Sequence, residues 1–220
     1  AGMKKALWFL LRNFLQMTGM LLLFYAALIV LCLLFGVESF FGVYLIGYSF
    51  AFFCVAALCA AQMTAAWCPL ALSLGATRRT LRGGVFPAWL ALSLLTQAVN
   101  ILLNRVTSAL FPSERLSREF VYGISRHPLA GFGVVLLLTG ASLWTGTLKL
   151  SARPVLPKVL LIVFDILIYA QVFVLGVLST LEPILPAAAI PLYGGAMAAL
   201  GTVFTAVTLH RLKALAVSQV

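Results

Sequence analysis

The feature that most constrains this chain is a series of six apolar runs separated by short polar stretches. An apolar helix of about 20 residues spans the ~30 Å hydrocarbon core of a bilayer. Of the 220 residues, 63% are hydrophobic and 9% are charged, whereas a soluble domain carries about 25% charged residues. The sequence therefore predicts an all-α, polytopic membrane protein, a single transmembrane domain with six spans at about 17–36, 42–67, 85–104, 130–148, 159–181 and 191–209.

The distribution of basic residues predicts how the spans are oriented. Lys and Arg accumulate in short cytoplasmic loops. With the N-terminus inside, the outer loops hold four of the five acidic residues, and the cytoplasmic segments hold 11 of the 15 basic ones, namely Lys4, Lys5, Arg12, Arg78, Arg79, Arg82, Lys149, Arg153, Lys158, Arg211 and Lys213. Both termini are therefore predicted to be cytoplasmic. Topology also explains the net charge of +10, so we expect no nucleic-acid partner.

Residues 4–16 form an amphipathic segment before the first span. Around a helix, the polar residues Lys5, Arg12, Asn13 and Gln16 fall on one side and most of the leucines fall on the other. This pattern predicts an interfacial helix lying on the inner leaflet. The alternative is that the segment lengthens the first span.

The longest predicted outer loop, 105–129, contains "PSERLSREFVYG". Ser113 can cap a short helix and Gly123 can end it. We expect a small helix on the outer leaflet. The loop's four arginines leave open a role as a lid or as a contact for an anionic substrate group.

The sequence gives little support for catalysis or metal binding. It lacks a His-Glu motif, a G-x-S-x-G motif and a pair of carboxylates on one face of a span. Two histidines and four cysteines without metal-ligand spacing do not make a zinc site. We therefore predict no enzymatic activity, no metal site and no cofactor in this chain, and we expect free thiols that pack in the bundle at Cys32, Cys54, Cys59 and Cys68.

Two polar features lie within the spans. Ser93, Gln97, Asn100 and Asn104 follow at intervals of four, three and four residues, so they share one helical face. This face predicts either a lining for a substrate path or hydrogen bonds between helices. Asp165, the only acid within a span, shares a face with Tyr169 and predicts either ion coupling or a structural pair.

Small residues recur in the last span. Gly194 with Ala198, and Gly195 with Ala199, are small-xxx-small pairs that permit close approach of helices. Such faces serve packing within a chain more often than dimerisation.

The segment "CPLALSLGATRRTLRGG", residues 68–84, has an ordered arrangement that its charge alone does not explain. Pro69 is expected to end or kink the second span. The residues after it can form about one helical turn, which Gly75 can end in a left-handed conformation. Thr77 can then cap the helix that begins with the arginines.

This segment resembles the cytoplasmic turn between the second and third spans of type-2 ABC-transporter permeases. Bacterial members often carry an apolar L-x-L-x-x-G-x-[ST]-R-[RK] pattern there, which is matched by Leu70, Leu72, Gly75, Thr77, Arg78 and Arg79. The six spans, the cytoplasmic termini and the N-terminal amphipathic helix also agree with that family. The long outer loop after the third span departs from it, because members often place their extracellular helices before the last span.

The resemblance implies the membrane subunit of an exporter in the bacterial plasma membrane, with a peptide, a drug-like molecule or a lipid as cargo. A cytoplasmic ABC ATPase would bind ATP and magnesium, because this chain has no G-x-x-x-x-G-K-[ST] motif. A second permease chain, identical or related, would complete the transporter among the membrane lipids. The implied coupling helix would dock on the ATPase through Pro69, Leu70, Leu72, Leu74, Gly75, Thr77, Arg78, Arg79 and Arg82.

Two alternative functions remain open from the sequence. One is an ion-coupled secondary transporter that uses Asp165. The other is an accessory membrane subunit with no transport path of its own.

Overall fold

The computed structural model describes residues 2–37, 39–111, 126–148 and 158–213, and within these ranges the chain contains helices and no strands. The helices are α1 (Gly2–Phe35), α2 (Phe40–Gln62), a π-helical segment (Met63–Trp67), α3 (Cys68–Ser73), α4 (Arg78–Leu110), α5 (Pro128–Leu148), α6 (Lys158–Thr180) and α7 (Ala189–Arg211). The predicted all-α class is confirmed. The expected outer helix at "PSERLSREFVYG" lies outside the described residues.

Among the described residues, six helical segments are long and apolar enough to cross a membrane, as the sequence predicted. Two of them, in α1 and α6, expose most of their apolar side chains on the outside of the bundle. In water such faces would be costly, because exposed apolar area is unfavourable. In a bilayer the same faces are matched to the hydrocarbon.

The first span differs from its prediction. Residues 4–16 do not form a separate interfacial helix, because α1 runs without interruption through 34 residues. At about 1.5 Å per residue this is roughly 51 Å, which exceeds the hydrocarbon core. No proline interrupts the segment, and Leu10, Leu11 and Phe14 are at most 8% exposed because α1 packs mainly against α2 and α4. The amphipathic pattern of residues 4–16 therefore reflects packing against protein.

The second span also continues further than predicted. Pro69 does not end it, because the π-helical segment connects α2 directly to α3. The Cys68 N–H donates to the Met63 carbonyl, five residues back, and Pro69 then lies in the first turn of α3. Pro69 has no N–H to donate, and it lies directly after the π-helical segment, where the hydrogen bonds change from five residues back to four. The helical run therefore ends at Ser73.

Helix α5 is the centre of the bundle, and its closest partner is α7. The two backbones approach each other at glycines: Gly133 faces the Gly194 carbonyl, and Gly140 faces the Gly201 carbonyl. The predicted close approach at Gly194 is confirmed and lies within the chain. Gly195, in contrast, has open space where a side chain would begin. The partner glycines on α5 were not predicted.

The four cysteines are free thiols, as expected. Cys32, Cys59 and Cys68 are buried and Cys54 is half-buried. Cys32, Cys59 and Cys68 pack among apolar side chains of the bundle.

Candidate functional site

The end of α3 has the backbone geometry that the sequence predicted. Gly75 adopts a left-handed conformation with φ +88°. The Ala76 N–H donates to the Ala71 carbonyl at 2.9 Å, and the Gly75 N–H donates to the Leu72 carbonyl at 3.0 Å. These two bonds form a Schellman motif, which satisfies carbonyls that a helix end leaves without partners. Gly75 therefore fixes the end of α3.

The start of α4 is capped by Thr77, which is also as predicted. The Thr80 N–H donates to Thr77 Oγ1 at 3.1 Å, and the two hydroxyls lie 2.8 Å apart. Thr77 itself is extended, with φ −82° and ψ 148°. Such a cap stabilises a helix by about 1 kcal/mol. The connection from α3 to α4 is thus a short segment fixed at both ends.

We call residues 68–84, which contain this connection, the basic turn. The basic turn exposes both apolar and basic residues. Leu70 is 44% exposed and Leu74 is 74% exposed. Arg78 and Arg79 are exposed next to them. Of the remaining residues predicted for docking, Gly75 and Thr77 are exposed, whereas Pro69, Leu72 and Arg82 are half-buried.

The inner side of the basic turn is anchored in the bundle. Cys68, Ala71 and Leu81 are buried in one apolar cluster with Leu10 and Phe14 of α1. The basic turn is therefore packed on one side and exposed on the other.

The polar face of α4 lies inside the bundle. Its four predicted residues are at most 7% exposed: Ser93, Gln97, Asn100 and Asn104. The structure thus confirms that these residues share one buried face. Three of them bond to other helices or to the segment that begins α5.

Thr139 of α5 is the central partner at one end of this face. Its hydroxyl accepts a hydrogen bond from Trp89 Nε1 at 2.9 Å and lies 2.8 Å from Ser93 Oγ. It also donates to the Val135 carbonyl of its own helix at 2.8 Å. One hydroxyl of α5 therefore joins two side chains of α4.

Further along α4, the amides are only partly satisfied. Gln97 Nε2 donates to the Pro128 carbonyl at 3.2 Å, and Ser49 Oγ of α2 donates to Asn104 Oδ1 at 3.1 Å. Asn104 Nδ2 lies 3.5 Å from Asn100 Oδ1, which is a long contact. Gln97 Oε1 and Asn100 Nδ2 have no hydrogen-bond partner among the described residues. The geometry shows interhelical bonding here, together with spare hydrogen-bonding capacity at two amides.

Sequence reasoning missed part of this network. Thr107 continues the pattern three residues after Asn104, so the same periodicity could have found it. Its hydroxyl lies 2.5 Å from the Tyr25 hydroxyl, which also donates to the Leu103 carbonyl at 2.8 Å. Tyr25 stands alone among apolar residues of α1, and no local signal marks it as a partner of α4.

Asp165 and Tyr169 lie on α6, so they are not part of the polar face of α4. Both are half-buried. The Tyr169 ring lies 6.4 Å from the Phe50 ring of α2, and its hydroxyl interacts electrostatically with Asp165. Asp165 therefore has partners within the protein.

We expect the substitution Thr139→Val to destabilise the protein by about 1–2 kcal/mol. It keeps the shape of the side chain but leaves the buried Trp89 Nε1–H without an acceptor, which costs about 1–3 kcal/mol in proteins and somewhat less in membranes. Reversible unfolding in mixed micelles measures this effect. Thr202→Val is the matched control, because the exposed Thr202 hydroxyl bonds only to carbonyls of its own helix. Equal stability of the two variants would contradict the assigned role of Thr139.

No group of three His, Cys, Asp or Glu side chains that could hold a metal ion occurs among the described residues. The polar groups of the candidate site are the hydroxyls and amides inside the bundle and the exposed arginines of the basic turn.

The six apolar helices and the buried polar face define the class of this chain: it is a multi-pass helical membrane protein. Comparison with protein-family models, with curated proteins and with solved structures gives no match.

Proposed function

We propose that this chain is the membrane subunit of an ABC exporter in a bacterial plasma membrane, with both termini in the cytoplasm. The observation that carries the proposal is the geometry of the basic turn. A short helix is fixed at its end by a Schellman motif, is followed by a capped helix, and exposes leucines beside arginines. Such a surface suits docking on a separate ATPase subunit.

The packing behind the turn supports a role in transmitting movement. Helix α3 continues from α2 through the π-helical segment, and only residues 74–77 separate α3 from α4. Since Cys68 and Leu81 are buried against α1, α3 has little freedom to move alone. Closure of the ATPase subunits would tilt α3, and the tilt would shift α1, α2 and α4 relative to the α5–α7 pair.

The partner subunit would supply ATP binding, magnesium and hydrolysis, and a second permease chain would complete the transporter. The cargo would be amphipathic: a peptide, a drug-like molecule or a lipid. The two amides of α4 with spare capacity, Gln97 and Asn100, are neutral. They suit polar, uncharged groups of such a cargo.

Photo-cross-linking in native membranes tests this proposal, because it captures a partner whose identity is not known. A benzophenone amino acid replaces Leu74 at the tip of the turn or, as a control, Leu102, which is 57% exposed on α4 but distant from the turn. We expect the probe at Leu74 to capture one protein that contains a G-x-x-x-x-G-K-[ST] motif, while the probe at Leu102 captures none. Capture of no such protein from either position would refute the proposal.

A further inference from the structure

A groove lies between the first turns of α1 and the basic turn. Its volume is about 610 Å³, which falls in the range of roughly 300–1,000 Å³ that is typical of ligand pockets. The exposed Lys5 is the cation of the lining. The rest of the lining is mainly apolar and includes Ala6, Phe9, Ala71, Leu74, Ala76 and Leu81. The groove is thus suited to an amphiphile that carries negative charge.

A second cation, Arg12, lies on α1 beyond the residues that line the groove. Arg12 follows Lys5 by seven residues, nearly two helical turns or roughly 10 Å, so both lie on one face of the helix with Phe9 between them. Both are exposed. Residues 2–37 and 39–111, which form α1 to α4, contain no Asp or Glu. No carboxylate of these helices neutralises the two cations.

The aromatic side chains around the groove are typical of the membrane interface. Trp8 is 63% exposed, and Trp67 packs edge-on against Phe9 with ring centroids 5.4 Å apart. Trp is enriched where a membrane protein crosses the headgroup level. The groove therefore lies close to the level of the phospholipid headgroups.

Two N–H groups and both hydroxyls of the lining are already used within the protein. The Gly75 and Ala76 N–H groups complete the Schellman motif, and the Thr77 and Thr80 hydroxyls pair with each other. An extended peptide would need such groups for its own backbone, whereas an acyl chain needs none. This favours a lipid over a peptide segment as the occupant.

We propose that the groove binds one anionic phospholipid, with its phosphate held by Lys5 and Arg12 and its acyl chains against Phe9 and Leu81. This site goes beyond the proposed docking of an ATPase: the two share Leu74, Gly75 and Thr77, but the docking cations are Arg78, Arg79 and Arg82. A bound lipid would connect the start of α1 to the basic turn, so the lipid composition of the leaflet would influence the position of α3.

Native mass spectrometry of the purified chain tests the proposal. The chain is equilibrated with an equimolar mixture of phosphatidylglycerol and phosphatidylcholine, and the lipids retained per chain are counted. We expect one retained phosphatidylglycerol in preference to phosphatidylcholine. Each cation near an anionic lipid contributes about fivefold in affinity, so Lys5→Gln with Arg12→Gln should weaken retention roughly thirtyfold.

Two further variants separate this site from the other proposals. Arg78→Gln with Arg79→Gln removes the same number of charges from the basic turn and should leave lipid retention unchanged. Ala76→Trp fills the groove without changing its charge and should abolish retention. Thermal unfolding in phosphatidylcholine alone checks that each variant is folded.

The proposal is overturned if phosphatidylglycerol shows no preference, or if folded variants at Lys5 and Arg12 retain it as well as the original chain. It is also overturned if the partner ATPase displaces the retained lipid one for one, since the groove would then bind protein. Failure of the lipid site leaves cross-linking at Leu74 unaffected, so the two proposals fail separately.

Discussion

The substitution Gly140→Ala should destabilise the protein by at least about 2 kcal/mol, although it adds a single methyl group. An added Cβ at this position would lie 2.5 Å from the Gly201 carbonyl oxygen and 3.0 Å from Thr205 Oγ1. Two helix backbones would have to separate to accept it, and overpacking of this kind typically costs about 1–3 kcal/mol or more. Because α5 is the centre of the bundle, we expect loss of folded protein in membranes, measured by reversible unfolding and by yield.

Gly195→Ala is the matched control for this prediction. It makes the same chemical change in the interior of α7, at a position with nothing within 4 Å of the added atom. Alanine favours a helix over glycine by up to about 1 kcal/mol. This variant should therefore be as stable as the original chain or slightly more so. If both variants lose stability equally, close contact between α5 and α7 is not what holds the bundle together.

The helices that the sequence predicted well are those whose signals are local. Apolar length is enough to predict six spans, because the bilayer fixes the length of an apolar helix. The left-handed Gly75 and the Thr77 cap were likewise predictable, since each depends on the chemistry of one residue and its near neighbours. Burial of the α4 polar face followed from its spacing.

The features that the sequence did not predict depend on contacts with distant residues. Residues 4–16 have the pattern of an interfacial helix, yet their apolar face packs mainly on α2 and α4 and they continue into the first span. The same amphipathic pattern fits a lipid surface or a protein surface, so the sequence cannot separate the two. Pro69 was expected to end or kink the second span; it does not end it, because the π-helical segment before it keeps the chain helical.

In the candidate site, too, local features were predictable and contacts with distant residues were not. The amide spacing of α4 predicted a shared face, but its partners on other helices, such as Tyr25 and Thr139, carry no local signal. The glycines of α5 were overlooked because a lone glycine acquires meaning only when a second helix approaches it. The docking role of the basic turn comes from resemblance and geometry, and it remains a prediction.

Reversing the charge of Arg78 and Arg79 should remove the affinity of this chain for the ATPase that we propose as its partner. Both arginines are exposed in the first turn of α4 and project from a rigid, capped segment. A surface complementary to them carries negative charge, and placing like charges together across an interface costs several kcal/mol. At about 1.4 kcal/mol per tenfold change, we expect affinity to fall by a factor of at least about 30.

Control variants separate docking from folding and from general charge. Arg78→Lys with Arg79→Lys keeps both charges and should retain most of the affinity. Arg105→Glu reverses an exposed charge near the opposite end of α4 and should have no effect on binding. Thermal unfolding of each variant should match that of the original chain, because Arg78, Arg79 and Arg105 are all exposed.

The most direct test of the proposed function is the equilibrium affinity of the purified chain, in nanodiscs, for the purified ATPase that cross-linking at Leu74 captures. We predict tight binding by the original chain and the loss of that binding in a folded Arg78→Glu, Arg79→Glu variant. Undiminished binding by that variant, and by one in which Leu70 and Leu74 are also changed to aspartate, would contradict the assignment of the basic turn as the docking site.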